Sequence, residues 1–174
     1  MKLKNGKDLL IRKAEKEDAA ELIAYLNKVG GESDNLLFGE NEFGMTVEQE
    51  ESFIESINNS PTSVLLAGEV DGKIICVGSI AAPRRERRAH QADLAMSVSK
   101  AFWGQGVGTH LMQSLIDFVK NTEKLEIIHL TVKADNARAI ALYTKMGFKE
   151  IGVFPKDTKI DGKYYDAILM YLCL

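Results

Sequence analysis

Cysteine is nearly absent from this chain: Cys76 and Cys173 are its two copies, each set in an apolar run. They make no disulfide framework and no metal-ligand spacing, and the three histidines are scattered. The expectation is two small apolar residues in a reducing compartment, and no metal. Proline is as scarce, with Pro61, Pro83 and Pro155 each placed at an element boundary, so no proline-rich linker divides the chain. No apolar run approaches the roughly 18 residues of a membrane helix. The opening MKLKNGKDLLIRKAEKED is charged and lacks the apolar stretch of a signal peptide. Neither charge dominates: 22 basic against 25 acidic residues leave −3, which advertises neither nucleic acid nor a membrane surface. What remains is a cytoplasmic protein of one domain over 1–174, with 45% hydrophobic residues to fill its core.

The patterning supplies the elements. Leu9 to Arg12 reads as a short strand. Asp18 is placed to cap a helix through about Val29, with Ala19, Leu22, Ile23 and Leu26 on one face. GGESDNLLFGENEFG is loop-like, and its Phe38 and Phe43 either line a pocket or plug the core. Thr46 with Gln49 is a capping box that starts a helix to about Asn58. SVLLAGEV and KIICVGSIAAP are strands joined by Asp71-Gly72, a hairpin signal. From Gln91 to Val98 the residues alternate. Ala92, Leu94, Met96 and Val98 share one side, and Gln91, Asp93, Ala95 and Ser97 the other. Val107, Leu111, Leu115, Ile116 and Val119 mark a helix ending near Asn121. LEIIHLTVK is a strand, and NARAIALYTKMG a helix with Gly147 as its C-cap. FKEIGVF and KYYDAILMYLCL close the chain as two strands separated by a polar loop. The order βααβββαβαββ implies an α/β fold with a central mixed sheet flanked by helices.

AFWGQGVGTHL, between the fourth strand and the third helix, carries glycines at 104, 106 and 108. Such a turn presents unpaired backbone N–H groups at the positive end of a helix dipole. Glycine lets the backbone take positive φ and approach an anion closely. A Walker loop requires lysine and a hydroxyl after its last glycine, but Thr109-His110 follows Gly108. A dinucleotide fingerprint follows the first strand of a βαβ unit, but this turn comes after a three-strand meander. Two readings remain, a phosphate cradle of another kind and a turn without a ligand.

Here the sequence resembles the GNAT superfamily of acyl-CoA-dependent N-acetyltransferases. That family carries Arg/Gln-x-x-Gly-x-Gly/Ala between a strand and a helix, matched by Trp103-Gly104-Gln105-Gly106-Val107-Gly108 with Trp103 in place of Arg or Gln. Its second motif, Asn-x-x-Ala-x-x-x-Tyr followed by Gly-Phe, is matched by Asn136, Ala139, Tyr143 and Gly147-Phe148. The resemblance implies a mostly antiparallel sheet of about seven strands flanked by about four helices, splayed between strands 4 and 5. It implies acetyl-CoA as cosubstrate, with the pyrophosphate on the amides from Gly104 to Thr109. The pantetheine arm would run along the backbone of Met96, Ser97 and Val98, and Asn136 and Ala139 would lie beside it. An amine acceptor then attacks the thioester directly, in a ternary complex.

The family position for the acid that meets the departing thiolate is Tyr143; helical spacing alone would place its ring in the core. For the base, Asp93 on the polar side of the fourth strand and Glu32 after the first helix are the two candidates, each equally readable as a solvated acid. Arg84, Arg85, Arg87 and Arg88 form a basic run without interleaved aromatics, which reads as a solvated turn rather than a nucleic-acid face. The acceptor implied is a small-molecule amine or amino acid. Rival readings are a protein N-terminal (ribosomal-type) acetyltransferase, a non-catalytic acyl-CoA sensor, and a partner-binding scaffold. The last strand offers a surface for a homodimer.

Overall fold

The computed structural model describes all 174 residues. Its strands are β1 (Leu10–Lys13), β2 (Val64–Val70), β3 (Lys73–Ala81), β4 (Gln91–Val98), β5 (Ile127–Lys133), β6 (Lys149–Ile160) and β7 (Lys163–Cys173). Its α-helices are α1 (Ala19–Gly30), α2 (Val47–Asn58), α3 (Val107–Asn121) and α4 (Ala137–Lys145). The seven strands form one sheet in the order β1-β2-β3-β4-β5-β7-β6. Every neighbouring pair is antiparallel except β4 and β5, which run parallel.

Local chemistry accounts for the element boundaries. Thr46 Oγ1 accepts from the Gln49 amide at 3.3 Å, and Gln49 Oε1 accepts from the Thr46 amide at 2.9 Å, closing the capping box of α2. Asp71 and Gly72 take φ of 53° and 72°, the left-handed pair that turns a tight hairpin with the right twist. The apolar stripe of α3, Val107, Leu111, Leu115, Ile116 and Val119, is wholly buried against β2, β3 and β4. That face anchors the larger core, and α1 and α2 cover a second core on the opposite face of the sheet.

Four readings change. Asp18 does not cap α1 with its side chain; it accepts from the Glu15 amide at 2.7 Å and pairs with both Arg12 nitrogens. The Arg12 hydrogen bond holds its carboxyl below the usual range. The buried face of α1 runs through Ala19, Leu22, Tyr25 and Val29, with Ile23 and Leu26 only partly covered. Cys76 is fully buried, but Cys173 is exposed at the end of β7. Finally, the polar loop after FKEIGVF is strand. β6 continues to Ile160 and turns through Asp161-Gly162 at φ 48° and 81°. A bulge between Phe154 and Thr158 absorbs Pro155.

Away from the fork, one buried carboxyl oxygen has no partner. Glu50 on α2 is 2% exposed and its Oε2 finds no hydrogen bond. Desolvation raises its pKa above the ordinary 4.5. Stability is therefore fully present below about pH 4.5 and is lost as pH rises through the raised folded value. Glu50→Met, which fills the same space without an orphan oxygen, should stabilise the fold by about 1–2 kcal/mol at pH 8 and by less at pH 4.5. Melting curves at the two pH values check both the sign and the difference.

Candidate active site

The sheet forks where its polarity changes. β4 and β5 pair over three residues only, Gln91↔Ile127, Ala92↔Ile128 and Asp93↔His129. From Leu94 onward β4 is paired on its β3 side alone, so its other backbone edge faces the gap without a strand partner. At the mouth of the gap the Trp103 indole N–H donates to the Val98 carbonyl at 2.7 Å.

The glycine turn follows. A short 3-10 turn, Lys100–Phe102, leads to Gly104 at φ +75° and Gly106 at φ +90°. Gly106 stands at the N-cap of α3 in the left-handed region, with no side-chain cap. No acceptor in the chain takes the amides of Gly104, Gln105, Gly106, Val107, Gly108 or Thr109; the first paired amide is that of His110, bonded to Gly106 O at 3.0 Å. Six consecutive free N–H groups at a helix dipole form an anion cradle. A Cβ at Gly104 would meet nothing within 4 Å, and one at Gly106 only Met1 Cε at 3.9 Å. The glycines keep open space over the cradle. A Cβ at Gly108 would instead meet Leu142 at 3.3 Å and Met96 at 3.7 Å. Gln105 donates from Nε2 to Ala101 O at 3.1 Å, while its buried Oε1 has no partner.

α4 forms the far wall. Asn136 Oδ1 caps it by accepting from the Ala139 amide at 3.2 Å, which leaves the amide nitrogen of Asn136 uncommitted. Tyr143 is 8% exposed and its ring lies against Phe148 at 5.9 Å. Its hydroxyl takes no hydrogen bond within the chain, and burial pushes the phenol up to about 12.

The two carboxylates differ. Asp93 stands at the apex of the fork with a 69% exposed side chain, and His129 Nδ1 meets its Oδ1 at 2.8 Å. His129 Nε2 lies 3.3 Å from Gln91 Oε1, and Gln91 Nε2 lies 3.2 Å from His90 Nε2. Glu32 is spoken for on both oxygens: Ser99 Oγ donates to one at 3.1 Å and the Lys100 amide to the other at 2.5 Å. That carboxylate ties the α1–α2 loop to the turn after β4. Ser97 is also committed, its hydroxyl 3.0 Å from Tyr25 of α1 and its backbone paired with Val77 of β3, so Met96 and Val98 rather than Ser97 turn their backbone to the gap. The fork thus gathers Asp93, Met96, Ser97, Val98, Trp103 and the glycine turn on one side. Asn136, Ala139 and Tyr143 stand on α4. The sequence reading treated the histidines as unrelated and missed His129 beside Asp93; only the parallel register of β4 and β5 brings the two together.

On the α1–α2 side of the fork lies a cavity of about 240 Å³, bounded by the loop Asp34–Leu37, by Thr131 and Lys133 of β5, and by Asp157 and Thr158 at the β6 bulge. The Thr158 hydroxyl is buried there without a partner. A larger cavity of about 540 Å³ sits between α1 and the β2–β3 hairpin, lined in part by Glu21, Tyr25, Val70 and Phe102; neither cavity is lined by Asp93, Tyr143 or the glycines of the turn. Phe38 and Phe43 do not enter either cavity; they meet each other edge to face at 5.5 Å within the α1–α2 loop.

A sheet forked at one parallel junction, with six free amides at a helix N-terminus beside the fork, defines an α/β protein with a site suited to an anion. Residues 34–148 match the model of the acetyltransferase (GNAT) family, and the chain belongs to that family. It is 34% identical over 116 residues to the L-amino acid N-acetyltransferase of Escherichia coli, spanning 67% of this chain and 72% of that one. Its fold superposes with a TM-score of 0.93 on an acetyltransferase of the GNAT family from Streptococcus pneumoniae, at 34% identity over 96% of this chain and all of the other. A ribosomal-protein-alanine N-acetyltransferase from Brucella melitensis follows at a TM-score of 0.82 and 25% identity, over 95% of this chain and 99% of that one. The protein is therefore an acetyl-CoA-dependent N-acetyltransferase.

Proposed function

We propose that this enzyme acetylates the primary amine of a small amino acid. The observation that carries the reading is the cavity beside the fork. At about 240 Å³ it suits a free amino acid, and its wall carries the unpartnered Thr158 hydroxyl and the Lys133 ammonium, which an acceptor carboxylate would share with Asp135, its partner at 3.0 Å. The amino-acid acceptor of the Escherichia coli relative agrees.

The chemistry assigns each group one task. The amides from Gly104 to Thr109 hold the pyrophosphate, and the free edge of Met96 and Val98 receives the pantetheine arm, with Asn136 and Ala139 across from it. Asp93 takes a proton from the incoming ammonium, so that a neutral amine attacks the thioester carbonyl. His129 donates to Asp93 Oδ1 and turns Oδ2 toward the acceptor. A β4 amide facing the gap stabilises the oxyanion. The C–S bond breaks as the Tyr143 hydroxyl donates a hydrogen bond to the departing sulfur. Glu32 holds the acceptor loop in place.

Asp93→Asn should lower turnover by about 100-fold with acetyl-CoA affinity unchanged. His129→Ala should lower it by about tenfold, through loss of positioning. The substrate reading is tested by thiol release from acetyl-CoA with free amino acids beside short peptides. Faster turnover of amino acids supports it. Faster turnover of peptides replaces it with protein N-terminal acetylation, and binding without release with any amine makes the chain a sensor.

A further inference from the structure

The glycine turn lacks the side chain that its first position would contribute to a phosphate, because Trp103 stands there. The structure places a cation at the same spot from another element. Arg138, in the first turn of α4, lies with its guanidinium carbon 4.4 Å from the centroid of the Trp103 ring. Arg138 is exposed and makes no ion pair and no hydrogen bond, so all five of its N–H groups are uncommitted. Trp103 is itself fixed by its bond to the Val98 carbonyl, and the next residue opens the run of free amides. Stacking leaves the edge of a guanidinium free for bidentate contact with an oxyanion while the aromatic face restrains its plane.

We propose that Arg138, held over the Trp103 ring, supplies the side-chain contact to the cosubstrate pyrophosphate that the glycine turn does not. The pair acts as one unit: Trp103 is the platform and Arg138 the ligand, so the charge reaches the cradle from α4 rather than from the turn. This rests on the assignment of the cradle to the pyrophosphate.

Trp103 is the sole tryptophan of the chain, so its fluorescence reports on this contact directly. Titrations with CoA and with 3′-dephospho-CoA, in wild type, Arg138→Ala, Trp103→Arg and the double variant Trp103→Arg/Arg138→Ala, separate the alternatives; calorimetry serves the variants without tryptophan. Arg138→Ala should weaken both ligands by about 10- to 30-fold and flatten the salt dependence of binding. The double variant should recover affinity to within about threefold of wild type, since an arginine in the turn restores the missing charge. Unchanged affinity in Arg138→Ala would overturn the proposal while leaving the cradle intact. A loss seen with CoA but not with 3′-dephospho-CoA would overturn it as well, by moving Arg138 to the 3′-phosphate. Failure of wild type to bind either ligand would instead remove the cradle assignment on which it stands. Melting curves of each variant identify any loss that comes from misfolding.

Discussion

Gly106→Val is expected to raise the Kd for acetyl-CoA by about 100-fold, roughly 2.7 kcal/mol. Two effects combine. A β-branched residue is strained at φ +90°, and relaxing that strain turns the amides of the cradle away from one another. The new side chain also projects into space that the structure keeps open, where a phosphate must approach. Gly72→Val separates strain from binding. It meets a similar φ of +72° in a hairpin far along the chain from the cradle, and should cost stability without changing affinity. Calorimetric titration with acetyl-CoA, CoA and NADH, with melting curves for both variants, makes the comparison. Wild-type affinity in Gly106→Val would return the glycines to the status of a turn without a ligand.

Tyr143→Phe is expected to do the reverse, lowering turnover by about 100-fold while acetyl-CoA affinity stays within about twofold. The ring that packs on Phe148 is kept, so stability should not change. Burial pushes the phenol up to about 12, so the hydroxyl keeps its proton throughout the working range and no fall in rate below about pH 10 arises from its ionisation. The same shift makes it a poorer acid than a free phenol near 10. In the proposed mechanism Tyr143 therefore serves the leaving sulfur as a hydrogen-bond donor, and the proton the sulfur finally takes derives from the amine. Rapid-quench and steady-state assays across pH 6 to about 10 test this; equal turnover in the variant removes Tyr143 from the chemistry.

What the sequence disclosed was chemistry confined to neighbours along the chain. The Thr46–Gln49 box, the Asp71-Gly72 hairpin and the stripe of α3 each depend on residues within a few positions, and each appears as read. The glycine turn was legible for the same reason, since positive φ is a property of the residue itself. β6 was not: both of its faces are largely exposed, so no alternation marks it, and Pro155 with Lys156, Asp157 and Lys159 imitates a loop. The pairing of Asp93 with His129 and the stacking of Arg138 on Trp103 depend on register and on the packing of α4, which no local pattern encodes. For Glu32 the family resemblance named a plausible acid, but its partners Ser99 and Lys100 lie far along the chain.

The three-residue junction of β4 and β5 divides the sheet into a four-stranded and a three-stranded leaf that share a narrow seam. In the proposed binding mode a cosubstrate lying along that seam acts as an added strand, bonding to the free edge of one leaf and resting on the helix of the other. Its binding energy is then cohesion between the leaves, and apparent stability should climb with ligand concentration as mass action requires, about 2.7 kcal/mol at a hundredfold excess over Kd. The empty enzyme should exchange its amide hydrogens fastest along Leu94–Val98 and Leu130–Lys133, and the loaded one should slow there first. The catalytic cleft is in this sense the crease along which the protein yields, and its cosubstrate is the stitch that closes it.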